Sequence, residues 1–186
     1  MTAFVAVGTS LGGLRALTVL LGALPDGFPA AVAVVQHRAS AGTDELTAVL
    51  QRECSLPVAE ADDKQTIEVG HVYVAPAGYH LLVDDGCFAL SVDAPVNYAR
   101  PSVDVLFETA AQFYGDRTIA VVLSGASQDG ARGAVAVRRA GGRVVVQALE
   151  SAESRVMPAA ALALVEVDAV LPVEQIPAWL VAHAGT

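Results

Sequence analysis

Lysine is nearly missing from this 186-residue chain: Lys64 is the single one, so arginine carries almost all of the positive charge. Eleven Lys and Arg stand against twenty Asp and Glu, a formal charge of −9, and no run of basic residues stands out. Nucleic-acid binding depends on clustered cations that neutralise phosphates, so no nucleic-acid partner is expected. The two cysteines, Cys54 and Cys87, are too few and too far apart for a disulfide framework or a metal site, and read as reduced, partly buried thiols. Long apolar runs are missing as well. Hydrophobic residues make up 54% of the chain and the mean hydropathy is +0.50, yet Gly, Pro, Asp or Gln breaks each run well short of the ~18 residues a membrane span requires. The N-terminus enters Phe4-Val5-Ala6-Val7 with neither a basic region nor a cleavage pattern, so no secretory signal is expected. These absences leave one domain over residues 1–186, not membrane-embedded, in the cytoplasm.

What is present begins with FVAVGTSLGG, Phe4 to Gly13: an apolar run, a glycine-framed serine, then a helical pattern. A buried strand delivers the chain to Gly8, and Gly8, Gly12 and Gly13 permit a tight turn and close backbone approach. The spacing predicts a helix from Gly13 to Ala23 with Leu14, Leu17 and Leu21 on one face. Its first-turn N–H groups point past Ser10 and favour negative charge. Two chemistries suit that geometry: an activated hydroxyl beside an oxyanion hole, or a dinucleotide phosphate resting on the helix start.

Further on, Ala31 to Gln36 reads as a second buried strand ending at His37, and a helix capped by Thr43, with Asp44 and Glu45 in its first turn, runs to about Arg52. Between about residues 57 and 95 short alternating segments, Val72 to Pro76, His80 to Val83 and Cys87 to Val92, are separated by turn residues. They predict a β-hairpin excursion attached to the sheet. A helix from about Ser102 to Phe113 leads back to a strand, TIAVVLSG from Thr118, whose exit loop Ser127-Gln128-Asp129-Gly130 opens a helix to Ala140. Arg143 to Gln147, a helix around Pro158 to Leu164, a short strand at Ala169 to Leu171 and a closing helix from Glu174 to His183 complete the chain. Near-continuous apolar strands alternating with helices mean an α/β fold: a doubly wound, mainly parallel sheet flanked by helices.

In such a sheet the strand-to-helix loops open at one edge, where ligands bind. Three of those loops carry Ser10, His37 and Asp129. A serine hydroxyl is a weak nucleophile until a base takes its proton, and an imidazole does so best when a carboxylate holds its tautomer. Each residue also has a plainer role: Ser10 as a helix cap, His37 as a strand end, Asp129 as charge at a helix start. The dinucleotide fingerprint fits poorly. Aligned as Gly8, Ser10 and Gly13, it has serine for its central glycine, and Gln36-His37-Arg38 stands where a ribose-binding acid belongs, although Arg38 suits a 2′-phosphate. Gly8-Thr9-Ser10-Leu11-Gly12 matches Gly-x-Ser-x-Gly, but the chain order Ser, His, Asp is not that of α/β-hydrolases. His71 and His80 lie in the hairpin region and read as packing or surface residues, with a place facing the crevice as the alternative for His80, and Arg138 and Arg139 are assigned no site role.

Over nearly its whole length the chain resembles the catalytic domain of the chemotaxis protein-glutamate methylesterases, the CheB family. The matching stretches include Val7 to Ser10 with Gly12-Gly13, Val35-Gln36-His37, Gly70 to Pro76, Tyr79 to Leu82, Arg100 to Phe107, Leu123-Ser124-Gly125, Asp129-Gly130-Ala131, Gln147 and Met157-Pro158. The resemblance implies Ser10 as nucleophile, His37 as general base and acid, and Asp129 as the orienting carboxylate. It implies hydrolysis of γ-glutamyl methyl esters on the cytoplasmic helices of methyl-accepting chemoreceptors, with deamidation of receptor glutamines, no cofactor and no metal. Backbone N–H groups of Leu11 and of the Ala126–Ser127 loop are then the expected oxyanion donors. Arg38 and Arg100 are expected to border the site and orient acidic substrate, since a protein of charge −9 otherwise repels it. Where the family usually carries Thr after the serine, Met-Gly before the Asp loop and Gly before Met-Pro, this chain has Leu11, Ala126-Ser127 and Val156. No receiver domain is expected within the chain. Two other readings stay open: a catalytically weak scaffold that docks receptors or a partner, and an NADP-binding oxidoreductase.

Overall fold

The strand β1, Phe4–Thr9, is buried at every residue, and its side chains divide between two cores. Val5 and Val7 join one apolar cluster while Phe4 and Ala6 join another, the period-2 alternation of a strand covered on both faces. A computed structural model describes residues 2–38 and 45–185. Its main sheet has seven strands, all paired in parallel: β1, β2 (Ala31–Gln36), β3 (Val58–Glu60), β4 (Val72–Val74), β7 (Thr118–Val122), β8 (Arg143–Gln147) and β9 (Ala169–Leu171), in the order β3-β4-β2-β1-β7-β8-β9. A separate antiparallel hairpin is formed by β5 (His80–Asp84) and β6 (Cys87–Ser91).

Helices cover both faces. On the side of Val5 and Val7 lie α1 (Gly13–Gly22), α2 (Leu46–Glu53) and α6 (Ile176–Ala184), which contribute Leu17, Leu20, Leu21, Leu50, Ile176 and Leu180. On the other face α3 (Val103–Tyr114), α4 (Ala131–Arg139) and α5 (Val156–Leu164) pack with the hairpin, and Phe4 stacks on Tyr114 at 4.7 Å. Each fully buried Leu or Phe of these cores contributes ~1.5–3 kcal/mol. Strand order reverses between β2 and β7 on either side of β1, so the exits of β1, β2 and β7 adjoin at the sheet's C-terminal edge.

The doubly wound parallel sheet with an attached hairpin is the expected fold, but the hairpin is narrower than residues 57–95. Val72–Val74 pairs in parallel with Ala31–Gln36, and Val58–Glu60 pairs in parallel with Val72–Val74, so both belong to the main sheet. Parallel neighbours are usually joined through a helix, and the loop of residues 61–71 contains none, which is why the segment read as a hairpin strand. Leu14 also departs from its expected face. It is 45% exposed while Ala16, Leu17, Leu20 and Leu21 are buried, because the first turn of α1 projects into the cleft described below. Thr43 and Asp44, expected to open α2, lie outside the described residues. Among those residues no helix is long and apolar enough to cross a membrane, and Cys54 and Cys87 are both free thiols.

Candidate active site

Gly12, in the left-handed region at φ 78°, is the residue that caps α1, so Ser10 is not the cap and its side chain is not committed to the helix. The serine's backbone is held on three sides. Its N–H donates to the Ser124 carbonyl at 3.0 Å, and its carbonyl accepts from the Gly13 N–H at 2.9 Å and from Gln36 Nε2 at 2.8 Å. The Ser10 hydroxyl makes no hydrogen bond among the described residues.

His37 follows β2 as Ser10 follows β1. The register pairs Thr9 with Gln36, the last residues of the two strands, and the His37 N–H donates to the Thr9 carbonyl at 3.0 Å, so Ser10 and His37 each leave the sheet directly after a paired strand end. Both line one cavity of about 710 Å³ with Leu11, Leu14, Arg15 and Glu153. His37 lines a second cavity of about 560 Å³ as well, with Arg38, Asn97, Tyr98, Arg100 and Ser127. The imidazole is thus the residue common to two adjoining cavities, here called the two lobes of the cleft.

The ring's other partner is Asp129, whose Oδ2 lies 2.7 Å from His37 Nε2. An ionised carboxylate only accepts, so Nε2 carries the proton and Nδ1 of the neutral ring is left as the basic nitrogen. Asp129 is wholly buried and takes five donors. Ser102 Oγ (2.8 Å), the Asp104 N–H (3.0 Å) and Asn97 Nδ2 (3.3 Å) donate to Oδ1, and His37 Nε2 and the Val103 N–H (2.6 Å) to Oδ2. Burial pushes its carboxyl up, but His37, the Asp104 and Val103 amides and the Ser102 hydroxyl together outweigh it and hold the group below the usual carboxylate value.

These amides open α3, so the carboxylate at the start of α4 caps a different helix. The converse also holds. Asp104, in the first turn of α3, accepts from the Gly130 N–H at 2.9 Å and the Gly133 N–H at 2.7 Å, the orphan amides of α4. Asn97 Nδ2 bridges the pair, 2.8 Å from Asp104 Oδ2. Burial first, and then the neighbouring Asp129, push the Asp104 carboxyl above its usual value, against the pull of its N–H donors. Gly8 makes the arrangement possible, since a Cβ there would overlap the Val103 side chain.

A third set of bonds fixes the loop after β7. Ser124 Oγ donates to the Leu11 carbonyl at 2.7 Å and accepts from the Ser154 N–H at 2.9 Å. The Gly125 carbonyl accepts from the Met157 N–H at 2.9 Å and Ser154 Oγ at 2.9 Å, which turns it toward the start of α5. Across a trans peptide the Ala126 N–H points the opposite way. The Gly125 Cα also abuts Ser10, because a Cβ built there would lie 3.0 Å from Ser10 Cβ. The Leu11 and Ala126 amides donate to no described residue.

Of the predicted site residues, Ser10, His37 and Asp129 are therefore brought together, and Leu11, Ala126 and Ser127 lie on adjoining loops. Arg38 and Arg100 line the second lobe, but Arg38 Nη2 is engaged by Glu60 at 3.2 Å and the Ala75 carbonyl at 2.9 Å, and Arg100 Nη1 by the Val92 and Asp93 carbonyls at 2.7 and 3.0 Å. An arginine so engaged is poorly placed for a nucleotide 2′-phosphate. His80 is buried: Nδ1 accepts the Ser102 N–H at 3.2 Å and Nε2 faces the Ala94 carbonyl at 3.1 Å, so it packs beneath the site. Asn97, Ser102, Asp104 and Ser154 were not singled out from sequence. Ser102 and Asp104 stand within one of the stretches that carry the resemblance, without a role of their own, and their local pattern is that of a helix start, which conceals that their partners lie across the molecule. Among the described residues no group of three or more His, Cys, Asp or Glu is placed to hold a metal ion.

A family model described as CheB methylesterase matches residues 5–180. A protein of Leptospira interrogans is 41% identical over 173 residues, 92% of this chain and 90% of its own length. The protein-glutamate methylesterase/protein-glutamine glutaminase 2 of Anaeromyxobacter dehalogenans is 45% identical over 175 residues, 93% of this chain and 51% of that protein. The crystal structure of the Thermotoga maritima CheB methylesterase catalytic domain superposes with a TM-score of 0.94 at 35% identity, covering 98% of each chain.

Proposed function

The chain belongs to the CheB methylesterase family, and on that premise we propose that it is a protein-glutamate methylesterase that also deamidates protein glutamines, with Ser10 as nucleophile, His37 as base and acid, and Asp129 as the group that orients the imidazole. The observation that carries the residue assignment is the 2.7 Å bond from His37 Nε2 to a five-donor carboxylate, which leaves Nδ1 unprotonated in a ring that lines one cavity with Ser10.

The chemistry is acyl transfer. Ser10 Oγ attacks the γ-carbonyl carbon while His37 Nδ1 takes its proton, and charge develops on the carbonyl oxygen. That oxygen meets the unengaged amides of Leu11 and of the Ala126–Ser127 loop, where one donor is worth roughly 3 kcal/mol in a related setting. The bond between the carbonyl carbon and the methoxy oxygen breaks, His37 returns the proton to that oxygen, and methanol departs, leaving the acyl group as an ester on Ser10 Oγ. Water, deprotonated by His37, then attacks that ester, releasing the glutamate and restoring the serine. With a glutamine side chain the leaving group is ammonia and the steps are otherwise the same. Asp129 stabilises the imidazolium in both halves without itself taking the proton.

The substrate in this reading is the cytoplasmic helical part of methyl-accepting chemoreceptors, and the protein works in the cytoplasm. In this reading Arg100, whose partners are neutral carbonyls, supplies positive potential for its acidic flanks in the lobe beyond His37, and Arg38 adds less because Glu60 offsets its charge. Methanol release from membranes methylated by the cognate methyltransferase tests the reading. Wild type releases methanol and Ser10→Ala does not; equal release by folded Ser10→Ala protein would overturn it.

A further inference from the structure

Between the hairpin and α3 the chain makes a tight turn over residues 96–99. Val96 and Ala99 exchange both backbone hydrogen bonds, at 3.1 and 2.9 Å, and the two residues between them, Asn97 and Tyr98, are both left-handed, at φ 49° and 62°. Two successive positive φ values define a type I′ turn, for which Asn-Gly is the favoured pair. Asn adopts the conformation readily, whereas tyrosine does so at a cost, because its Cβ crowds the backbone there. The Tyr98 ring offers no compensation within the chain, being 104% exposed.

The strained turn is nevertheless pinned. Asn97 Nδ2 reaches both buried carboxylates, Asp104 at 2.8 Å and Asp129 at 3.3 Å. It holds Tyr98 at the lip of the lobe that His37, Arg38 and Arg100 line. Backbone strain kept by surrounding bonds, carrying an aromatic that packs on nothing, at the edge of a catalytic cleft, is the arrangement of a contact whose other half is the substrate.

We propose that the turn of Asn97 and Tyr98 is the docking element of the cleft, and that Tyr98 packs against the polypeptide flanking the esterified glutamate. The inference rests on the methylesterase reading and adds a specificity determinant to it. The partner is an amphipathic helix: its apolar side chains, a turn away from the reactive glutamate, meet the ring, while its acidic ones face Arg100. Tyr98 touches no reacting atom, so it governs which polypeptide is used and not how fast an ester is cleaved.

The test compares Tyr98→Gly, Tyr98→Ala and Tyr98→Phe on two substrates, methylated receptor membranes and the small ester p-nitrophenyl acetate. The Gly and Ala variants are expected to lose ~10- to 30-fold in kcat/KM on receptor membranes, chiefly through KM. They are expected to stay within about 2-fold of wild type on the small ester, while Tyr98→Phe retains receptor activity. The Tm of Tyr98→Gly does not fall, since glycine relieves the left-handed strain. Unchanged kcat/KM on receptor membranes for Tyr98→Gly, or a parallel loss on both substrates, would overturn the proposal. Were wild type inactive on both, the methylesterase reading would fail instead. Co-sedimentation with receptor membranes would then decide the docking role, which requires weaker binding by Tyr98→Gly and fails if binding is equal.

Discussion

The two sides of the cleft are built differently. Around Asp129 and Asp104 every carboxylate oxygen is engaged, each acid caps the other's helix, and Asn97 ties the two together. Around Ser10 only the backbone is fixed, and the hydroxyl and the neighbouring Leu11 and Ala126 amides are left without partners among the described residues. A group that must hold an imidazole in one orientation gains from over-determination. Donors that must meet a charge appearing only in the transition state are most useful when nothing else occupies them. Stability and reactivity thus meet at His37, which bonds Asp129 and lines one cavity with Ser10.

The sharpest way to break this comparison is on the reactive side. Ser10→Ala should lower kcat by ~10⁵- to 10⁶-fold while leaving Tm nearly unchanged, as thermal unfolding beside a small-ester assay would show; a large fall in Tm would mean that Ser10 is structural.

On the engaged side, Asp129→Asn should cost ~10⁴-fold in kcat through the wrong imidazole tautomer, and it should also destabilise. Because the folded carboxyl is held below its ordinary value, its contribution is complete above about pH 4 and is lost as pH falls through the lowered value. The difference in unfolding free energy between wild type and Asp129→Asn should therefore shrink on acidification in denaturant titrations. A pH-independent difference would contradict the assignment of charge.

Asp104 distinguishes capping from charge. Asp104→Ala orphans the Gly130 and Gly133 amides and should cost ~2–4 kcal/mol of stability. Asp104→Asn keeps one oxygen for them and removes a buried charge whose ionisation folding disfavours, so it should cost well under half as much. Equal losses would mean that the charge, not the cap, is what matters. The smallest effect belongs to the arginines: Arg38→Gln with Arg100→Gln should raise KM for receptor membranes ~3-fold at low salt, with kcat little changed and the difference fading as ionic strength rises. An unchanged KM would remove both from substrate binding.

Much of this was legible in the sequence. The apolar strands, the Gly8 to Gly13 turn and the three loops carrying Ser10, His37 and Asp129 are local patterns, and a parallel sheet brings such loops to one edge without further information. The reciprocal caps were not legible, because Asp104 and Gly130 are 26 residues apart and an acid in a first helical turn is already explained by its own helix. Val72–Val74 pairs in the main sheet and not in the hairpin, which its sequence does not reveal, because three apolar residues carry no period that distinguishes a parallel strand from a hairpin strand. Leu14 shows the limit of periodicity itself, which fixes the face of a helix but not how far the sheet beneath it extends.

The most direct test of the Ser10–His37 pairing is covalent labelling with a fluorophosphonate probe, read by mass spectrometry of the peptide that contains Ser10. Phosphonylation of Ser10 in wild type, abolished in His37→Gln, is the predicted result. Labelling at another residue, or undiminished labelling of Ser10 without the imidazole, would contradict it.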